Sequence, residues 1–319
     1  MNMKKLIAFT LILALAFSLT ACRDNNGGEG ERTGNDVNIN RPDGHNPPPD
    51  DLEEASATDF EFVGPAIHRG GSHGIRIANY IGGATRVRIP EMIDGQPVTL
   101  IDERTFQNQY ITYIYIPNTI ERISDNAFEG TGESRFGNEF KEVTLPYGLT
   151  YIGNRAFMRT GITTIEIPPT VTFIGNAAFA NTNIDSIVIH DSVTYLGEGA
   201  FQGCTYLTSA VIGNGITRIY SNTFAQCSAL TEVIIGENVE IIGNHAFSHT
   251  ALTNVVLPDS VTTIESFAFQ SLSLERFEFG AGITSISNDA FVRTRINEIY
   301  HMGVIYESLN EFLEFLNNR

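Results

Sequence analysis

The sequence has no tryptophan, three cysteines and three lysines, and two of those lysines, Lys4 and Lys5, lie at its very start. Each scarcity excludes something. Cysteines at positions 22, 204 and 227 are too few to frame a disulfide-stapled scaffold. Basic residues number 20 against 37 acidic ones, a formal net charge of -17. Beyond the first segment Lys141 is the sole lysine, and the other basic side chains are arginines. So acidic a surface is repelled by phosphate backbones and anionic lipid, which argues against a nucleic-acid partner or a polybasic membrane contact. No phosphate-binding loop or dinucleotide fingerprint occurs, and no cofactor is expected. What remains is an ordinary hydrophobic share of 42% over 319 residues, enough for a sizeable core in one large domain or two modest ones.

The first segment reads as an address. Met1–Lys5 is short and positive, and Leu6–Phe17 is apolar apart from Thr10. That run is too short for a comfortable membrane span but suits a signal peptide. Leu19-Thr20-Ala21-Cys22 follows, and it resembles the bacterial lipobox. The resemblance implies that Cys22 takes a diacylglycerol and becomes the new N-terminus. Arg23–Thr58 holds Asn25-Asn26-Gly27-Gly28 and Pro47-Pro48-Pro49, with few large apolar residues. Such a stretch cannot bury enough surface to offset its chain entropy, so a disordered tether is expected, with a reach on the order of 30 Å.

Internal repetition dominates the rest. Phenylalanine recurs in one local frame at 106, 128, 157, 179, 201, 224, 247, 269 and 291. The steps are 22 or 23 residues, except one of 29 that contains the Gly- and charge-rich stretch Glu129–Phe140, expected to be a surface loop. The unit Thr163–Thr182 is typical. Ile165 and Ile167 alternate with Glu166, the period of a strand with one buried face. Pro168 ends that strand, because it has no N–H to donate. A second extended piece, Val171–Ile174, carries a threonine column: Thr150, Thr172, Thr194, Thr217, Thr262 and Thr284. Three residues before most of the phenylalanines stands Asp, Asn or Ser, as at Asp125, Asn154 and Asn176, which predicts an N-cap and a short helical turn. Three residues after comes Thr131, Thr160, Thr182, Cys204, Cys227, Thr250 or Thr294. The two cysteines thus sit in a threonine column. They read either as small half-buried side chains or as a disulfide between stacked turns, though a ladder points both the same way.

One such unit cannot bury both its strand and its Phe, so the turns must stack and both ends need caps. We expect a signal peptide over 1–21, a lipid-anchored linker over 22–58, an N-terminal β cap over 59–98, the solenoid over 99–303 and a C-terminal cap helix over 304–319. In that last segment Leu309, Phe312, Leu313 and Leu316 recur at helical spacing. The unit Ile-x-Ile-Pro-x-x-Val-Thr-x-Ile-Gly-x-x-Ala-Phe resembles the BspA-type leucine-rich repeat of bacterial surface antigens, over about residues 60–300. The resemblance implies a β-rich leucine-rich-repeat solenoid with a parallel sheet, curved and stacked right-handed. It also implies a cell-surface protein, with an adhesin-like role in binding host proteins, matrix proteins or other cells.

The alternating strand leaves one residue per turn facing solvent: Tyr115, Thr144, Glu166, Val188, Val211, Ile234, Val256, Glu278 and Tyr300. Four successive apolar residues between two glutamates form a candidate contact stripe for an extracellular protein or glycan. The competing readings are β-branched residues that simply pack well on a sheet, or a stripe covered by the insert or by a second copy. Self-association in an envelope assembly is the alternative function. A solute-capturing lipoprotein would need a two-lobed α/β pattern, which is absent. Enzymatic signals are weak. Gly70-Gly71-Ser72-His73-Gly74 matches a nucleophile elbow in letters, but it precedes a short strand of the N-terminal cap where an elbow needs a helix. His245 and His249 have the spacing of a metal pair but no third ligand, so no metal site is expected.

Overall fold

The computed structural model describes residues 57–67, 73–134 and 137–318. The leader, Cys22, the tether up to residue 56 and Gly70–Ser72 lie outside them. Within this body the chain winds as a parallel β-solenoid, with two lines of short strands running from turn to turn. The first line holds the Ile-x-Ile strands. Arg86–Arg88, Tyr113–Tyr115 and Glu142–Thr144 pair in parallel. Ser186–Ile189, Ser209–Ile212 and Glu232–Ile234 form the next stretch, and Asn254–Val256, Ser273–Phe279 and Arg295–His301 the last. The second line runs from His73–Tyr80 through Gln96–Ile101, Arg122–Ile123, Tyr151–Ile152 and Phe173–Ile174 to Tyr195–Leu196. It resumes from Arg218–Ile219 to Ser285–Ile286.

The third side of each turn departs from expectation. The residues around each Phe form no helix. Instead a left-handed residue stands two before and two after the ring, such as Arg155 (φ 53°) and Arg159 (φ 62°), except at Phe291, where only Arg293 after it is left-handed. Each is the third residue of a four-residue turn closed by an i to i+3 bond, Ala156 N–H to Gly153 O and Thr160 N–H to Phe157 O. A positive φ at that place belongs to a type II turn and interrupts any right-handed helix. The Asp/Asn column therefore caps no helix. Its oxygens reach along the stack: Asp125 Oδ1 accepts from Asn154 N–H, Asn154 Oδ1 from Asn176 N–H, and Asn176 Oδ1 from Glu198 N–H, at 2.8–2.9 Å. The turns also bond to one another directly, Phe157 N–H to Ala178 O and Phe179 N–H to Ala200 O, both 2.8 Å. A third ladder thus runs beside the two sheets.

Inside, the nine phenylalanines form one continuous stack. Neighbouring rings lie 5.0–5.6 Å apart and within 10° of parallel. Phe106 is closed off by Phe60 and Tyr80, which come from the antiparallel pair Phe60–Ile67 and His73–Tyr80. At the other end Phe277 and Phe279 meet Phe291 edge-on, and Phe312 covers Phe279 at 4.4 Å. Phe312 belongs to helix α1, Leu309–Asn317, whose N-cap Ser308 accepts from Glu311 N–H. The inserted stretch carries its own small hairpin, Glu133–Ser134 with Gly137–Asn138, and sends Phe140 back against Phe128 at 6.0 Å.

Packing this close has a steric condition. At Gly153, Gly175 and Gly197 an added Cβ would lie about 2.5 Å from main-chain atoms of the preceding turn. We expect Phe201→Ala to cost about 3–5 kcal/mol, because a fully buried ring leaves a cavity that a stacked solenoid cannot collapse. Its neighbour Gln202→Ala should stay within about 0.5 kcal/mol. Denaturant midpoints compare the two, and equal losses would show that the stack does not carry the fold.

Candidate partner-binding face

The solvent side of the first strand line is the surface on which the sequence-derived stripe converges. Val188, Val211 and Ile234 stand side by side on three paired strands, Val188 opposite Val211 and Val211 opposite Ile234. Strand alternation places their neighbours Ile187, Ala210 and Ile189 in the core and leaves these three outward. Val188 is 44% exposed and Val256 49%, with Val211 and Ile234 half-buried between them. The strand pairing itself breaks between Ile234 and Val256, then resumes with Val256 opposite Glu278 and Glu278 opposite Tyr300. Glu166 is exposed, on a turn whose first strand is reduced to a bridge between Glu142 and Thr164. Beside the stripe lies an open depression of about 390 Å³ lined by Pro169, Val188, His190, Asp191 and Val211, among others.

Tyr115 departs from the expected row. It is 8% exposed, with the Arg88 guanidinium over its ring at 5.7 Å, so it offers little surface to a partner. The far end of the stripe has a group that the alternation pattern did not single out. Arg276 lies over the Tyr300 ring at 3.8 Å and bonds Glu278 Oε2 at 2.8 Å. An ion pair this exposed contributes little to stability, of order 0–1 kcal/mol. Its effect is positional: it orients Glu278 and Tyr300 where the apolar stripe ends.

A second surface column went unread. On the outer side of the second strand line, Tyr151, Phe173 and Tyr195 stack at 4.5 and 4.7 Å, with Tyr220 5.2 Å beyond. Arg122 sits 3.8 Å over Tyr151 at one end, and Arg218 lies 5.5 Å from Tyr220 at the other. Burial, and then the Asp125 carboxylate, push the Tyr151 phenol above its ordinary range. The 22-residue recurrence of Tyr151, Phe173 and Tyr195 was visible in the sequence, one place after the threonine column.

The Ser72 motif lies outside the described residues, and among the described residues the other candidates form no reactive constellation. His245 stacks on Phe267 at 4.8 Å, and both His245 and His249 occupy left-handed turn positions. Among the described residues no group of three or more His, Cys, Asp or Glu side chains could hold a metal ion. Cys204 and Cys227 are free and fully buried. Each thiol donates along the stack at 3.1 Å, Cys204 to Phe179 O and Cys227 to Phe201 O. They therefore point alike, as threonines of the column would, and are fully buried where the spacing had suggested half-buried side chains. Burial drives the Cys204 thiol up to about 11 and Cys227 well above its ordinary value.

A sequence profile of the BspA type leucine-rich repeat region matches six copies between residues 88 and 313. This chain belongs to that family. Solved structures agree with the assignment. A leucine-rich repeat protein of T. pallidum is 25% identical, with a TM-score of 0.53 over 60% of this chain and 85% of that one. One from Eubacterium ventriosum is 22% identical, with a TM-score of 0.51 over 71% and 69%, and shows the shared fold. Among functionally curated proteins none matches. The BspA-type family is one of non-enzymatic repeats, typically found in bacterial surface proteins. Among the described residues no helix is long and apolar enough to cross a membrane.

The thiol geometry makes a prediction with a defined sign. A thiol whose folded pKa is raised adds stability that is whole below its unfolded value, near 9.0, and is lost as pH climbs toward about 11. Cys204→Thr with Cys227→Thr restores the column residue and should flatten part of that alkaline loss in urea titrations. A loss of the same size in both proteins would remove the cysteines as its cause.

Proposed function

We propose that this BspA-type protein is a lipid-anchored, non-catalytic binding module on the outer side of a bacterial membrane. In this reading Cys22 carries the lipid, residues 22–58 tether the body, and the first strand line meets an extracellular protein or glycan. The observation that carries the proposal is the registered row Val188, Val211, Ile234, continued by Val256 and ended by Glu278 with Arg276 and Tyr300. Aliphatic side chains exposed in a contiguous row with a charged rim are the composition of a contact surface. Repetition supports it further, because the inward columns serve the stack while this outward column is free to vary.

The test is a binding screen of the protein against arrayed extracellular-matrix proteins and glycans, beside Val211→Glu with Ile234→Glu. Two buried-on-binding carboxylates should weaken a stripe-mediated contact at least about 100-fold. Circular dichroism should be unchanged, since neither residue is in the core. A ligand held equally by both proteins would move the face elsewhere on the solenoid. No ligand at all would favour a structural role in an envelope assembly. Absence of lipid on Cys22 by mass spectrometry of the membrane-extracted protein would remove the anchor.

A further inference from the structure

The two open ends of the first strand line are not alike. At the start stands Arg86–Arg88, with two arginines whose guanidinium groups lie over Tyr113 and Tyr115. Charged side chains on an edge strand discourage a further strand from adding. At the finish Arg295–His301 turns back into Val304–Tyr306, which pairs with it antiparallel and becomes the edge. This edge strand carries no charge. Met302 is 64% exposed, Val304 52% and Ile305 61%, a concentrated apolar patch on an otherwise acidic body.

The hairpin register says which main-chain groups are open. Met302 and Gly303 form a two-residue turn with φ of 49° and 82°, the type I′ geometry. His301 and Val304 flank it and exchange both hydrogen bonds, so the next pair, Tyr300 with Ile305, is a non-bonded one. The Ile305 N–H and C=O therefore point away from the sheet. Helix α1 covers Tyr306 from below, with Phe312 5.1 Å from its ring, but leaves this edge exposed.

We propose that a second copy of this chain docks here, edge to edge, with the two Val304–Tyr306 strands antiparallel about a two-fold axis at Ile305. The choice of a second copy rests on self-complementarity. Ile305 falls opposite Ile305 of the other copy, so the two open N–H and C=O groups of each strand satisfy one another. Val304 falls opposite Tyr306, and Glu307 opposite Gly303, so no two carboxylates face across the seam. An isologous contact of this kind closes as a dimer and does not grow into a fibre. Head-to-tail growth would set this edge against Arg86 and Arg88, the strand that charge protects. The contact is short, and both copies are strongly acidic, so screening by salt should strengthen it. It begins one strand beyond Tyr300, the end of the stripe assigned above to another partner, and involves the strand edge and not the aliphatic row Val188–Val256.

The full chain, expressed in a bacterial envelope, allows a direct test with cysteine pairs under mild copper-phenanthroline oxidation. Ile305→Cys should give a disulfide-linked dimer on a non-reducing gel, since paired strands bring the two Cα atoms within disulfide reach, about 5.5 Å. Wild type and Val256→Cys should show no disulfide-linked dimer on the same gel, because neither has a cysteine at the seam. Adding Val304→Lys to Ile305→Cys should cut the dimer yield about tenfold, and raising salt should increase it. No dimer from Ile305→Cys would overturn the proposal, as would a yield unaffected by Val304→Lys. A dimer from Val256→Cys alone would overturn it too, by placing the second copy on the stripe.

Discussion

Nine phenylalanine rings lie face to face through the body, and each can be buried only because another turn lies above and below it. A single turn of 22 residues has no interior of its own. Its ring, its strand isoleucines and its turn alanine become core when the neighbours arrive, and the same neighbours accept its main-chain N–H groups on all three sides. Burial and hydrogen bonding are therefore supplied by the same contact. That coupling is why an end cannot be left bare. Phe60 and Tyr80 come from outside the repeat frame and cover Phe106 edge-on and tilted, and at the other end Phe277 and Phe279 close Phe291 edge-on with Phe312 over Phe279.

The polar columns follow from the same constraint. Where two turns approach closely, every buried donor and acceptor must find a partner in the adjacent turn. Threonines 160 and 182 are buried and donate to Phe carbonyls of their own turns, while the exposed threonines 150, 172 and 194 donate to the main chain one turn back, at 3.1–3.2 Å. Asp125, Asn154 and Asn176 accept from the turn ahead. Cys204 and Cys227 can replace threonine because a thiol also donates to a Phe carbonyl and fits a small buried space. Glycines 153, 175 and 197 are fixed by distance alone. One geometrical requirement, repeated, thus explains residues as different as phenylalanine, asparagine and glycine.

This is also why so much of the fold was legible. A column repeated many times states its role many times, so the strands, the Phe plug and the stacked body followed from spacing. The helical turn did not, because Asp, Asn and Ser before an apolar residue signal an N-cap in an isolated segment. Here the same side chains reach to the next turn, and residues such as Arg155 and Arg159 accept a left-handed φ that the ladder enforces. Tyr115 was misplaced for a related reason. Alternation tells which way a side chain leaves the sheet, and it is silent on Arg88 lying over the ring. Glu278 and Tyr300 fell in the outward column, but Arg276, which ties them together, belongs to no repeated column, so periodicity could not reveal it.

Two outward columns then compete as the place where a partner would meet the body, and their geometry separates them. Tyr151, Phe173 and Tyr195 form the more conspicuous one, but their rings lie within 6° of parallel at 4.5–4.7 Å. Each ring spends its faces on its neighbours, with Arg122 covering the last, so only edges and phenol tips reach solvent. A ligand that must stack on a ring finds no free face there. The Val188–Val256 column differs in kind. Aliphatic side chains gain little from one another across a sheet once their outer halves remain wet, and that exposed area is what a partner could still remove from water. By this argument the aromatic ribbon belongs to the scaffold's own stability, and the plainer aliphatic stripe is the better candidate for recognition.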